Sequence, residues 1–190
     1  MGIFRMNDDG DEWVFGYGSL MWRPGFQYLA MVPGLLRGYH RSFCVYSHHY
    51  RGTLDEPGLV LGLAPSGTCQ GLAFQVAAAQ ASAVRAYLDE RELVSYAYRA
   101  VHLPVETAVG RISAYTFVAD PSHPQFAGEL EEEEAAQIII HARGLAGLNR
   151  DYLIETVRRL EKEGFSDDRL RSLLVRVERM TGILEAGGGI

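Results

Sequence analysis

From Trp13 to Ala119 the apolar residues fall mostly in short runs bounded by Gly, Pro and Ser, the spacing of strands. Trp13–Tyr17 (WVFGY) is the first run, and Gly16 and Gly18 break it. Leu36–Ser47 reads as one long strand, and Leu59–Ala64 and Cys69–Val76 as two shorter ones. Pro65-Ser66-Gly67 between these two carries a hairpin-turn signal. Tyr98–Val105 and Arg111–Ala119 form a further pair around Gly110. One stretch has helical spacing instead. Ala77–Asp89 is Ala-rich and sets Val84, Tyr87 and Leu88 at i, i+3 and i+4.

After Pro121 and Pro124 the period becomes helical throughout. Glu131–Ala142 opens on four acids, where the helix dipole favours them and where a solvated face is the simplest reading. Asn149 is expected to N-cap a helix over Arg150–Glu163, with Leu153, Val157 and Leu160 on one face and Gly164 as the stop. Ser166 is expected to cap the last helix, whose stripe is Leu170, Leu173, Leu174 and Val177. Strands adjacent in sequence and helices gathered late predict an α+β fold. It would be a small, mostly antiparallel β-barrel or sheet with flanking helices and a helical C-terminal third. Without regular alternation of strand and helix, a doubly wound parallel sheet fits poorly. No repeat and no long linker interrupts the chain, so one domain is expected over 1–190: a loose lead-in at 1–12 that includes Asp8 and Asp9, a core at 13–163, and a C-terminal helix and frayed tail at 164–190.

Composition narrows the function classes. The 190 residues are 47% hydrophobic and 22% charged, ordinary for a globular protein. No apolar run approaches the ~20 residues of a membrane-spanning helix. A net charge of −6 argues against a nucleic-acid surface as the main partner. The opening MGIFRMNDDGDEW lacks an apolar core with a cleavage site, so no export signal, a cytoplasmic location and reduced thiols at Cys44 and Cys69 are expected. Two cysteines are too few for a disulfide framework or a four-cysteine zinc site. Monomer and dimer both stay open.

Two segments could carry chemistry. In Val14-Phe15-Gly16-Tyr17-Gly18-Ser19-Leu20, two glycines at a strand end let the backbone approach a ligand, and successive N–H groups there can hold an anion. A dinucleotide fingerprint would need a third glycine where Met21 stands, and GYGSLM is not a nucleophile elbow around Ser19. The plain alternative is a glycine bulge. In Tyr87-Leu88-Asp89-Glu90-Arg91-Glu92, three acids crowd the end of a helix, against its dipole. That is either a solvated end with an Arg91 ion pair or a functional carboxylate. Glu92 follows Leu88 by four residues, so it can lie toward the apolar side, where desolvation would raise its pKa into the range of a general base. His48 and His49 point to opposite faces of a strand and do not chelate one metal together. Arg41 and Arg51 can pair with a ligand carboxylate or simply sit at the surface.

Three segments together carry a resemblance. Val14–Trp22 (VFGYGSLMW), Tyr87–Glu92 (YLDERE) and Gly144–Leu153 (GLAGLNRDYL) are similar, in order and separation, to signatures of the ChaC family of glutathione-specific γ-glutamylcyclotransferases, with Arg41, Phe43 and Arg51-Gly52 between them. The likeness spans about Trp13 to Glu163. It departs at Leu145, where proline is usual, at Cys44, where an aromatic is common, and in Leu93-Val94-Ser95-Tyr96, where a Lys-Gly-Gly-Tyr type is usual. The resemblance implies a γ-glutamylcyclotransferase-like fold and cleavage of glutathione to 5-oxoproline and Cys-Gly, without metal or cofactor. It implies Glu92 as base and then acid, and Val14–Leu20 as the substrate-binding segment. Tyr17 and Tyr152 are candidates to close over the glutamyl part, and Arg41 or Arg51 to meet a substrate carboxylate. The alternatives are a cyclotransferase for other γ-glutamyl peptides or amines, and a non-catalytic regulatory module on the same fold.

Overall fold

The computed structural model describes residues 10–93 and 97–182. Most of the lead-in (1–9), the Val94-Ser95-Tyr96 departure and the tail from 183 on lie outside the described residues. The elements are β1 (Glu12–Gly16), a 3-10 turn (Ser19–Met21), β2 (Ala30–Ser47), β3 (Gly58–Val76), α1 (Ala78–Glu92), β4 (Tyr98–Thr107), β5 (Gly110–Ala119), α2 (Glu132–His141), β6 (Arg143–Gly144), β7 (Gly147–Leu148), α3 (Asn149–Lys162) and α4 (Asp168–Thr181). The fold is α+β. Five strands close a barrel in the order β1-β3-β2-β4-β5, and β6 pairs with β7 in a separate ribbon. The chain divides into two compact units, Met1–Arg41 with Gly62–Phe126, and Ser42–Leu61 with Ala127–Ile190.

In the first unit β1 lies antiparallel to β3 (Phe15 opposite Ala73) and parallel to β5 (Val14 opposite Tyr115). β4 and β5 pair antiparallel along their full length, from Tyr98 opposite Ala119 to Thr107 opposite Gly110. Phe15, Phe74, Leu36, Val105 and Phe117 fill its core, each 2% exposed or less. Burying aromatic and aliphatic area of this kind is the main stabilising term.

The predicted hairpin at Pro65-Ser66-Gly67 is not formed. Gly58–Val76 runs on as a single strand of 19 residues. Ser66 and Gly67 take left-handed φ values of 94° and 69°, and the strand then resumes. The same residues that favour a turn also favour a bulge. Here β2 is long enough to serve both halves, and His40 on it sets Nδ1 3.1 Å from the Ser66 carbonyl.

α1 starts without a side-chain cap of its own. Asp11, from before β1, takes that place: its carboxylate accepts from the Ala78 amide at 3.0 Å and from Gln75 Nε2 at 2.9 Å. Val84 and Leu88 are the buried positions of α1, and the same i, i+4 row ends on Glu92. The helix runs three residues past the predicted Asp89, so Glu92 stands in its last turn.

In the second unit α2, α3 and α4 pack around Ile139, Leu153, Leu160 and Val177, all 1% exposed or less. Two predicted caps are replaced. Asp167, not Ser166, caps α4, accepting from the Leu170 amide at 3.2 Å. Asn149 does not cap α3 but is its first residue, and its side chain is used elsewhere. No described helix is long and apolar enough to cross a membrane.

Candidate active site

The first unit brings the two predicted segments together. β1 delivers Val14, Phe15 and Gly16 to the barrel wall, buried to 1% or less for Val14 and Phe15. The chain then turns sharply through Tyr17 and Gly18 into Ser19–Met21. The turn closes with the Met21 amide donating to the Gly18 carbonyl at 2.9 Å and the Arg23 amide to the Ser19 carbonyl at 2.8 Å. A side chain at Gly16 would put its Cβ 3.0 Å from the Leu20 Cβ, so the turn folds back on a residue that has none. The amides of Ser19 and Leu20 open the turn, where no intrahelical acceptor exists.

Arg41 supports this turn from below. It is 3% exposed, and its guanidinium donates to the Tyr17 carbonyl through Nε and to the Gln70 carbonyl through Nη2, both at 2.5 Å. It acts on the loop backbone, as a strut under Tyr17.

Glu92 stands at the end of α1 with 24% of its side chain exposed. Burial pushes its carboxyl above the ordinary glutamate range, and the Arg91 charge pulls partly back. Arg91 Nε lies 3.2 Å from Glu92 Oε1. The same guanidinium donates through Nη2 to Ser19 Oγ at 2.9 Å, and through Nη1 to the Arg23 carbonyl at 2.8 Å and Tyr87 Oη at 3.2 Å. The carboxylate and the turn are therefore held across a single guanidinium group. Gly25, with φ of 77°, runs so close to the Tyr87 hydroxyl that a Cβ would collide with it.

The other acids of the segment are spent differently. Glu90 is exposed. Asp89 accepts a hydrogen bond from the Tyr115 hydroxyl of β5. Burial, then the bond to Asp89, pushes the Tyr115 phenol far above its usual range, so it remains a donor.

Arg51 and Tyr152 belong to the second unit, where they meet each other. The Arg51 guanidinium lies 5.0 Å from the Tyr152 ring centroid, and Phe43 packs edge-on to the same ring at 5.5 Å. Arg51 Nη1 donates to the Ala146 and Leu148 carbonyls at 2.8 and 3.2 Å. The β6–β7 turn is also held by amides, Leu145 donating to the His49 carbonyl and Ala146 to the Tyr50 carbonyl, each at 2.9 Å. Asn149 Oδ1 accepts from the Leu59 amide and its Nδ2 donates to the Leu59 carbonyl, both at 2.7 Å. A cavity of about 410 Å³ lies along α3, lined by Asp151, Ile154, Glu155, Arg158 and Arg159; none of the predicted site residues borders it.

A family model described as ChaC-like protein matches residues 12–180. The chain belongs to the ChaC-like family. The glutathione-specific gamma-glutamylcyclotransferase of Escherichia coli K12 is 34% identical over 174 residues, 91% of this chain and 75% of that protein. That of Schizosaccharomyces pombe is 35% identical, with 80% of this chain and 84% of that one covered. The human glutathione-specific gamma-glutamylcyclotransferase 1 is 37% identical, covering 77% and 70%. In three dimensions, the crystal structure of a gamma-glutamyl cyclotransferase specific to glutathione from yeast superposes with a TM-score of 0.78 at 22% identity, over 95% of this chain and all of that one. This last likeness speaks for the fold.

Within the ChaC-like family pattern, the departure at Leu145 has a local use. Its amide donates to His49, which a proline could not do. Arg91, Tyr115 and Asn149 take parts that spacing did not reveal. Arg91 carried one signal, its place four residues after Tyr87 and beside Glu92. Tyr115 carried none, because only the packing of α1 on β5 brings it to Asp89.

Proposed function

We propose that this ChaC-like protein degrades glutathione by intramolecular cyclisation, releasing 5-oxoproline and Cys-Gly, in the cytoplasm and on this small molecule as its substrate. The reading rests on relatives named for glutathione-specific activity at 34–37% identity over at least three quarters of the chain. The chemistry needs neither metal nor cofactor, because the nucleophile is part of the substrate.

The γ-glutamyl chain folds so that its α-nitrogen comes within ~3–3.5 Å of its own γ-carbonyl carbon. Glu92, as carboxylate, takes a proton from the α-ammonium. The free amine attacks the γ-carbonyl and forms the ring C–N bond. The oxyanion meets backbone N–H groups of the Gly18–Leu20 turn. The amide bond to cysteine then breaks as its nitrogen takes the proton back from Glu92, and the surplus proton on the ring nitrogen passes to the released amine. A carboxyl raised by burial suits both halves of this exchange, since base and acid must be of comparable strength near neutral pH. Val14–Gly16 set the floor of the turn, Arg41 fixes Tyr17, and Tyr17 covers the glutamyl part.

The test is incubation of purified protein with glutathione, with 5-oxoproline and Cys-Gly read by mass spectrometry and Glu92→Gln in parallel. Product from the wild type alone is expected. Turnover by Glu92→Gln within about tenfold of wild type would remove Glu92 from the role of base. Absence of product with glutathione, but product with γ-glutamyl-alanine, would move the substrate to other γ-glutamyl compounds.

A further inference from the structure

We infer that Arg91 is a positioning residue that sets the Glu92 carboxylate and the Ser19–Pro24 turn in one fixed relation, so that base and oxyanion donors form a single unit. The inference rests on the cyclisation reading above for its kinetic consequence, and on geometry for its substance.

The geometry is specific to a guanidinium. Three of its donor directions are used, in different places. Nε faces Glu92 Oε1 at 3.2 Å. Nη2 reaches Ser19 Oγ at 2.9 Å. Nη1 reaches the Arg23 carbonyl at 2.8 Å, the Pro24 carbonyl at 3.5 Å and Tyr87 Oη at 3.2 Å. A planar fork can satisfy such separated acceptors together; a lysine ammonium is a point charge and cannot. Arg91 is at the C-terminal end of α1, where the dipole favours a cation, so its position costs little. Glu92, by contrast, sits against the dipole with 24% of its side chain exposed, and Arg91 is the cation that offsets both in part.

Several other charged groups on and beside α1 face elsewhere among the described residues. Asp89 accepts from Tyr115, and Glu90 points to solvent. Glu12 holds Arg85 and His102 at 3.0 and 2.9 Å. Two consequences follow for Arg91. Its loss frees the turn to drift from the carboxylate, and it removes the charge that draws the Glu92 carboxyl back toward its ordinary range.

The experiment compares wild type, Arg91→Met, Arg91→Lys and Ser19→Ala in glutathione turnover against pH, with a carbon-13 NMR titration of the Glu92 carboxyl in each. Arg91→Met is expected to lose roughly tenfold to a hundredfold in kcat, the scale of a misplacement of about 1 Å. Its acid limb and its Glu92 titration are both expected to move to higher pH. Arg91→Lys is expected to restore the Glu92 titration and not the full kcat, because it returns charge without the fork. Ser19→Ala is expected to lower kcat with the titration unmoved. Wild-type kcat and an unmoved Glu92 titration in Arg91→Met would overturn the inference. If Arg91→Met does not fold, full activity in Arg91→Lys would overturn it equally. If the wild type turns over no γ-glutamyl compound, the cyclisation reading fails, while the Glu92 titration in Arg91→Met still decides whether Arg91 governs this carboxylate.

Discussion

Asn149 offers the most quantitative check on how the second unit is held. It is fully buried, and its side chain makes a two-point bracket with the main chain of Leu59, also fully buried. The approach is close: a Cβ at Gly58 would lie 2.9 Å from Asn149 Oδ1. Asn149→Ala deletes both bonds and strands a buried N–H and a buried C=O. Each such group costs about 1–3 kcal/mol, so the variant is expected to lose about 2–6 kcal/mol in total. For a chain of this length that is a fall of roughly 4–24 °C in Tm. Asn149→Asp keeps the acceptor and loses the donor, setting a carboxylate against the Leu59 carbonyl. Its folded-state pKa is then raised, because only the protonated acid can donate to that carbonyl. The penalty is therefore small below the ordinary aspartate range and grows as pH rises through it. Urea unfolding followed by circular dichroism, at unchanged slope, measures both variants. If Asn149→Ala stays within about 0.5 kcal/mol of wild type, the scale of an ordinary surface substitution, the bracket does not hold α3 to β3 and the argument fails.

Three further outcomes are expected. A carboxyl raised by burial favours the protonated fold, so at neutral pH ionised Glu92 lowers stability. Glu92→Gln should then melt higher than wild type at pH 7, the difference vanishing as pH falls below the ordinary glutamate range; a lower Tm at pH 7 would contradict the desolvation of this side chain. Asp167→Ala removes the cap of α4 and should cost about 1 kcal/mol in chemical denaturation, whereas Ser166→Ala should be close to silent. Gly16→Ala forces a Cβ to 3.0 Å from the Leu20 Cβ, and it should reduce kcat in the glutathione assay more than it reduces Tm, because the turn rather than the barrel must give.

Much was legible in the sequence. The change from strand-type runs to a helical period after Pro121 places α2, α3 and α4 late, and the predicted stripes are buried at Leu153, Val157 and Leu160 of α3 and at Leu170, Leu173 and Val177 of α4, with Leu174 only partly covered. Those features are local: periodicity depends only on which side of an element meets the core. The Gly16–Leu20 turn and the acid-rich end of α1 were likewise visible as motifs. The i, i+4 step from Leu88 to Glu92 also allowed Glu92 to lie toward the apolar side.

Other choices were made by tertiary partners. Pro65-Ser66-Gly67 has the composition of a turn, and it stayed within one strand because β2 continues alongside it. Ser166 and Asp167 are both good caps in isolation, and the path of the chain selected Asp167. Asn149 has the chemistry of an N-cap, yet the backbone of Leu59, ninety residues away, took both of its polar atoms. Arg41 and Arg51, read as candidates for a substrate carboxylate, donate to main-chain carbonyls that nothing in their sequence context pointed to. The physical reason is common to all of these. Pattern along the chain decides which face of an element is apolar, whereas the partner of a hydrogen-bonding group is decided by which residues the closed barrel and the packed helices bring within about 3 Å.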